Sequence, residues 1–409
     1  MNYQEVLNFL YTQLPMYQKV GKSAFNKDLS KTIELLSVLN NPHHGFKSIH
    51  IAGTNGKGSV THMLASILQE SGYKTGIYTS PHLKSFTERI KINGVEIEED
   101  YVVTFVEKVK NTILKIEPSF FEITVAMAYS YFKDMQIDIA IIETGLGGRL
   151  DSTNVIYPDL SIITSIGLDH QDILGDSLAK IAKEKAGIIK QNTPLVIGDM
   201  ELAARDSIIS VAREKECKVF DFQGHNFDKN YFSSDLKGAA YEKNIDTVLM
   251  SIEVLNSKDY VTSDDHISKG LLYTCKNTGF KGRWQKLSES PLIFCDIGHN
   301  EQAITSMREQ IDKYDYETLH VVWGMSSDKS VNDVIALMPK SAVYYFCAAD
   351  IPRAIDVVHL SSIGKEFGLT GQSYKSVHEA INSAKSTAGA KDMIIIGGST
   401  FVVAEIEDL

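Results

Sequence analysis

The sequence predicts an α/β fold in two parts, a larger N-terminal domain built on a P-loop and a smaller, doubly wound α/β domain after it. Three observations carry that prediction. Apolar runs of strand length alternate with segments of helical spacing along most of the 409 residues. The stretch Ile51-Ala52-Gly53-Thr54-Asn55-Gly56-Lys57-Gly58-Ser59 stands between an alternating strand, 48–52, and a helix, 60–70. The pattern then restarts around Gly279-Phe280-Lys281-Gly282-Arg283-Trp284, which leaves a second unit of domain size. The boundary is placed at 280, giving domains 1–280 and 281–409.

The first element is the glycine stretch. Its glycines let the backbone turn sharply and aim N–H groups inward, the helix N-terminus adds a positive dipole end, and Lys57 adds a charge. In the register of G-x-x-x-x-G-K-[ST], Ile51 holds the first glycine position and Gly58 the hydroxyl position; the hydroxyl comes one residue later, at Ser59. A glycine-rich turn with no ligand is the alternative reading of this stretch alone.

Composition bounds the rest. Apolar content of 43% and charged content of 23% are ordinary globular values. A net charge of −11 disfavours a nucleic-acid partner. Cys217, Cys275, Cys295 and Cys347 are widely spaced and read as reduced thiols rather than a disulfide frame or zinc site. No signal peptide and no membrane span is legible, so a soluble, cytoplasmic protein is expected.

Before the P-loop strand, 3–14 and 28–40 read as amphipathic helices joined by a polar connector that contains Phe25. After its helix, 75–79 is a second strand running into Ser80-Pro81-His82. That places a hydroxyl at Ser80 and a neutral donor or ligand at His82 on the edge where open α/β sheets bind ligands. Residues 88–94 read as a strand ending in an Asn-Gly turn, and 98–115 as a helix. Ser119 and Glu122 form a capping box for the next helix. Phe120 and Phe121 at its mouth suit either core packing or stacking on a flat heterocycle.

Strand 137–143 ends in Glu143, a carboxylate closing an apolar strand near the P-loop. That is the Walker B arrangement for Mg²⁺ on nucleotide phosphates. The polar loop 145–154 follows, with Gly145, Gly147 and Gly148 suggesting unusual dihedrals or a cover over a site. Strand 160–165 delivers His170 to the same edge, a second metal-ligand candidate beside Glu143 and Ser80. Ser177 caps a helix on which Lys185 lies among Ala182, Ala186 and Gly187 and points inward. Strands at 194–197 and 218–220 and helices at 202–214 and about 241–255 follow, the last carrying Asn244.

In the second domain, strands 292–295, 320–323, 343–347 and 393–396 alternate with helices 301–312, 330–338, 355–367 and 376–388. Asp296-Ile297-Gly298-His299-Asn300 follows the first of these strands at its ligand edge.

Six stretches, taken in order, resemble the folylpolyglutamate synthase and dihydrofolate synthase branch of the Mur ligase family. They are Gly53–Ser59, Thr79–Leu83, Glu143–Asn154, Leu168–His170, Glu184–Ile188 and Pro352–Ala354. The resemblance covers nearly the whole chain and implies an N-terminal P-loop ATPase domain (Mur ligase-like) and a Rossmann-like domain that completes the ATP and glutamate site. It implies an ATP-dependent ligase that joins L-glutamate to a folate, and to dihydropteroate, through an acyl phosphate. Position by position, Asn55, Gly56, Lys57, Gly58 and Ser59 cradle phosphates, and Asn244, Arg283 and Asp296 contact nucleotide with His299 beside them. Ser80 and Glu143 hold one Mg²⁺ and His170 a second, while Lys185 matches a carbamylated lysine. Phe25, His82, Phe120, Phe121, Glu122, Asp151, Ser152 and Thr153 match the acceptor region. The resemblance also leaves room for a monovalent cation and implies a monomer. The family's Asp-Gly-Ala-His-Asn reads Asp296-Ile297-Gly298-His299-Asn300 here, which keeps Asp296 and His299. Two rivals remain: another Mur-type amino-acid ligase, or a P-loop ATPase switch without ligase activity. Ligases of cell-wall UDP-muramoyl peptides carry a further domain before the P-loop, for which the 52 residues ahead of Gly53 are too few.

Overall fold

The computed structural model describes residues 1–16, 28–221, 227–228, 231–327, 329–407 and 409. The chain divides into two compact units. One comprises Met1–Gly167, Gln171–Asp235 and Lys243–Phe280; the other comprises Leu168–His170, Leu236–Glu242 and Lys281–Leu409. The second unit thus takes up two short segments from earlier in the chain, each too small to be visible as a change of sequence pattern.

The first unit is organised around β1 (Lys47–Ala52). In chain order there follow β2 (Thr75–Tyr78), β3 (Ile90–Ile92), β4 (Val95–Glu96), β5 (Ile139–Glu143), β6 (Leu160–Ile163), β7 (Leu195–Ile197) and β8 (Val219–Asp221). The sheet order is β4-β3-β2-β5-β1-β6-β7-β8. β1 pairs parallel with β5 on one side and β6 on the other, in a register that sets Ile51 opposite Glu143 and Ala52 opposite Ile163. β5 and β6 are buried along their whole length, as continuous apolar strands covered on both faces must be. The helix Lys57–Glu70 is itself buried from Ser59 to Leu68. It begins three residues earlier than expected because Gly56, in the left-handed region at φ 85°, serves as its N-cap.

Two stretches of this unit differ from the sequence reading. Residues 88–94 are not one strand: Ser85 and Glu88 form a capping box around a 3-10 turn, Phe86–Arg89, and β3 starts after it. The helix expected over 241–255 is broken at Asn244, leaving Ala239–Glu242 and Ile245–Asn256. The helix Asp264–Leu272 was not anticipated. Gly270 weakens its helical signal, yet glycine is what the packing needs, since a Cβ there would lie 2.4 Å from Ile67 Cα.

The second unit has β9 (Gln285–Glu289), β10 (Leu292–Asp296), β11 (Leu319–Trp323), β12 (Val343–Phe346), β13 (Thr370–Ser373) and β14 (Met393–Gly397), in the order β13-β12-β11-β14-β10-β9. All pairings are parallel except that of β9 with β10. The four inner strands and the helices Glu301–Ile311, Val331–Ala336, Val357–Glu366 and Val377–Thr387 fall where the apolar periodicity puts them. β9 and β13 escaped it because both are polar edge strands with few buried residues. The core packs Trp323, Tyr344, Phe346 and Ile395 between sheet and helices. Among the described residues no helix is long and apolar enough to cross a membrane.

Candidate active site

The glycine loop leaves β1 at the centre of the first sheet and is anchored by the end of β6. Thr54 N–H donates to the Ser165 carbonyl at 2.8 Å. Thr164 Oγ1 and Ser165 Oγ donate to the Asn55 carbonyl at 2.6 and 3.0 Å, and Asn55 N–H donates to Ser165 Oγ at 3.1 Å. Close approach explains the glycines: a Cβ on Gly53 would lie 1.9 Å from Thr164 Oγ1, and one on Gly56 2.2 Å from Asn244 Oδ1. Asn244, bland as a sequence feature, therefore sits against the loop. Lys57 Nζ donates to the carbonyls of Gly53 (3.0 Å) and Thr54 (3.4 Å). Ser59 is buried in the first turn of the helix.

The β1–β5 register brings Glu143 to the same edge. Its carboxylate is 6% exposed, accepts from Ser80 N–H at 3.4 Å, and lies 4.0 Å from where a Cβ on Gly58 would be. Ser80, Glu143 and the glycine loop are thus neighbours within one unit. Lys185 is buried, and its Nζ donates to the Gly53 carbonyl at 2.8 Å. The loop 145–154 packs on the helix Leu178–Lys185 and the turn after it. A Cβ on Gly148 would lie 2.6 Å from the Lys185 carbonyl, Arg149 pairs with Glu184, and the Asn154 amide donates to the carbonyls of Arg149 and Gly187. This is a built loop that holds Lys185 in place.

The described residues expected at the acceptor belong to the first unit. Phe120 is buried; Phe121 packs its ring against Gly145 and lies 6.0 Å from Tyr78, centroid to centroid. The Asp151 carboxylate accepts from the backbone N–H of Leu146 and Thr153 and from the Thr153 hydroxyl. Burial pushes its pKa up against those hydrogen bonds. Ser152 and Thr153 are buried beside it, and Thr153 Oγ1 is 2.9 Å from His50 Nε2. Glu122 closes the capping box with Ser119 and accepts from Thr32 Oγ1. Phe25 lies outside the described residues. His82 accepts from Arg89 Nε at 2.8 Å. Arg89 was missed because 88–94 reads as a plain strand.

His170, Arg283, Asp296 and His299 belong to the second unit. Asp296 organises its own loop, accepting from Gly298 N–H (2.7 Å) and Trp284 N–H (2.9 Å), with Arg283 3.9 Å away. Asp169 gathers the remaining groups: Lys329 Nζ donates to it at 2.8 Å and His299 Nε2 lies at 3.6 Å. Burial raises the Asp169 pKa, but the His299 hydrogen bond and the charges of Lys329, His170 and His299 outweigh it and hold the carboxyl well below its usual range. His170 adopts φ 49°, uncommon for a side chain of its kind, and its Nε2 is 3.3 Å from Lys329 Nζ. For that ring nitrogen to serve a metal, the ammonium must release it. Lys329 was not singled out in the sequence, where it reads as the polar start of a helix.

The family model of the Mur ligase middle domain matches residues 51–261, and that of the Mur ligase glutamate ligase domain matches residues 282–400. The chain belongs to the Mur ligase family. Its relatives place this Mur ligase in the folylpolyglutamate synthase branch. A dihydrofolate synthase/folylpolyglutamate synthase of Bacillus subtilis is 30% identical over 99% of this chain and 98% of that one. A probable bifunctional folylpolyglutamate synthase/dihydropteroate synthase of Haloferax volcanii is 30% identical over 99% of this chain, which spans 50% of that relative's length. Among solved structures, E. coli FolC in complex with DHPP and ADP superposes with a TM-score of 0.85 at 28% identity, covering 99% of this chain and 97% of that one. A Yersinia pestis folylpolyglutamate synthase/dihydrofolate synthase complexed with AMPPNP and Mn gives 0.84 at 27% identity, with coverage of 99% and 97%.

Proposed function

We propose that this Mur ligase joins L-glutamate in amide linkage to a folate, and to dihydropteroate, while ATP is cleaved to ADP and phosphate. The observation that carries the reading is the β1–β5 register, which sets Glu143 beside both Gly58 and Ser80.

A carboxylate accepts an amine poorly because oxide is a bad leaving group. Transfer of the ATP γ-phosphoryl to the acceptor carboxylate gives an acyl phosphate with a good leaving group. The glutamate amine then attacks and phosphate departs. The chain's own contribution is positioning and charge. Loop N–H groups and Lys57 hold phosphates and offset their charge. The chemistry of Ser80 and Glu143, one hydroxyl and one buried carboxylate, suits the divalent cation that accompanies a nucleotide, which takes few protein ligands. Such an ion supplies electrostatic stabilisation of the transferring phosphoryl group. His170 is the candidate ligand of a second ion once Lys329 turns away. Lys185 is proposed to be carbamylated, and its burial beside Lys57 supports this. Asn244 in the first unit and Arg283, Asp296 and His299 in the second are proposed nucleotide contacts. The aromatic and Asp151 region is the proposed acceptor side.

The test is ADP release measured with dihydropteroate or tetrahydrofolate, with and without L-glutamate. Release that requires both substrates supports the ligase; release indifferent to them supports an ATPase switch.

A further inference from the structure

Arg89 is a buried cation. It is 2% exposed. Its Nε–H donates to His82 Nδ1 at 2.8 Å, and its guanidinium carbon lies 5.2 Å from the centre of the Phe120 ring. Among the described residues no carboxylate lies within ion-pair distance of it. The nearest in sequence, Glu88, is committed to the backbone N–H groups of Leu83, Lys84 and Ser85. The guanidinium also shares a hydrogen bond with the Tyr78 phenol, and the Tyr11 phenol and the Glu88 charge act on it. A guanidinium removed from water and hydrogen-bonded only to neutral groups is unfavourable, and a ring face offsets only part of that. The arrangement asks for an anion.

The same hydrogen bond fixes the histidine. With Nδ1 accepting from Arg89, its proton sits on Nε2, a directed donor. Thr79 N–H donates to the Arg89 carbonyl at 3.0 Å. The pair therefore flanks the end of β2, one residue from Ser80.

We propose that Arg89 and His82 form a carboxylate seat for the acceptor, Arg89 supplying the charge and His82 Nε2–H the directed hydrogen bond. This rests on the ligase reading above. The shared chemistry is an aryl or glutamyl carboxylate: dihydropteroate offers one, the group to be activated, whereas a folate offers two, of which only one reacts.

Calorimetric titration of the full chain with pteroate and with its primary carboxamide tests the seat. The wild type is expected to prefer the acid by about tenfold or more, the scale of one charge-assisted pair. Arg89→Met should abolish the preference by weakening the acid while leaving the amide unchanged. Where Arg89→Met fails to fold, Arg89→Lys, which keeps the charge but loses the Nε–H bond to His82, should keep a reduced preference. A parallel titration with tetrahydrofolate and its α-amide assigns the seat: an α-amide penalty that Arg89→Met removes means that the non-reacting carboxylate is held. Equal binding of acid and amide by the wild type, for both acceptors, overturns the proposal, as does a wild-type ratio in Arg89→Met. A wild type that binds no pterin acid at all overturns the ligase reading itself, a result distinct from either.

Discussion

Lys57 and Lys185 donate to one oxygen: the carbonyl of Gly53 accepts from Lys57 Nζ at 3.0 Å and from Lys185 Nζ at 2.8 Å. Burial and a neighbouring like charge both disfavour an ammonium. Carbamylation of Lys185 would resolve the conflict. It replaces the second cation by an anion beside Lys57 and leaves one N–H on Nζ to keep the bond to Gly53.

Lys185→Ala should therefore be nearly inactive, and acetate added to the assay should restore part of the activity by filling the vacated space. Lys185→Arg should not rescue, because guanidinium stays cationic. Steady-state turnover of both variants checks this, and full activity of Lys185→Arg would rule out a required carbamate.

Lys57→Ala should lower turnover by about 10²–10³, the usual loss when one electrostatic donor is deleted from a transition state. The protein should stay folded, since the Lys57 bonds to Gly53 and Thr54 are to loop carbonyls. Circular dichroism and turnover together separate the two effects.

Glu143→Gln keeps shape and removes the charge beside Gly58 and Ser80. A Mg²⁺ titration of activity should shift its midpoint to higher concentration. An unchanged midpoint counts against Glu143 as a ligand.

Stability should fall on acidification from neutral pH. His50 and His62 are fully buried, and burial pushes the pKa of each down to about 3. In the unfolded chain they titrate near about 6.5. Between those values the unfolded state binds more protons, so stability drops as pH is lowered through that window. Tm should be highest at pH 7 or above and decline steadily toward pH 5, with a shallower decline in His62→Leu. A flat Tm over that range contradicts the assignment.

Most of the first unit's candidate site edge was legible because chemistry and periodicity coincide there. β1, β5 and β6 are apolar runs that lead into Gly53, Glu143 and Thr164. What stayed hidden depends on contacts distant in sequence. Asn244 matters through the missing Cβ of Gly56, 188 residues earlier. Gly270, a helix breaker by propensity, is where a helix meets Ile67 backbone to backbone. Lys329 gains meaning only through Asp169, and Arg89 only through His82. Glu122 went the other way: its capping-box spacing already stated what its carboxylate does.

The account stands on coupling of nucleotide cleavage to amide formation. The measurement that tests it most directly is ADP release by the wild-type chain with ATP, Mg²⁺, L-glutamate and each acceptor in turn, with the products resolved by mass. The account predicts that ADP appears only with acceptor and glutamate together, one ADP for each glutamyl residue added. ADP released at the same rate without acceptor, and with no mass added to it, would contradict the account.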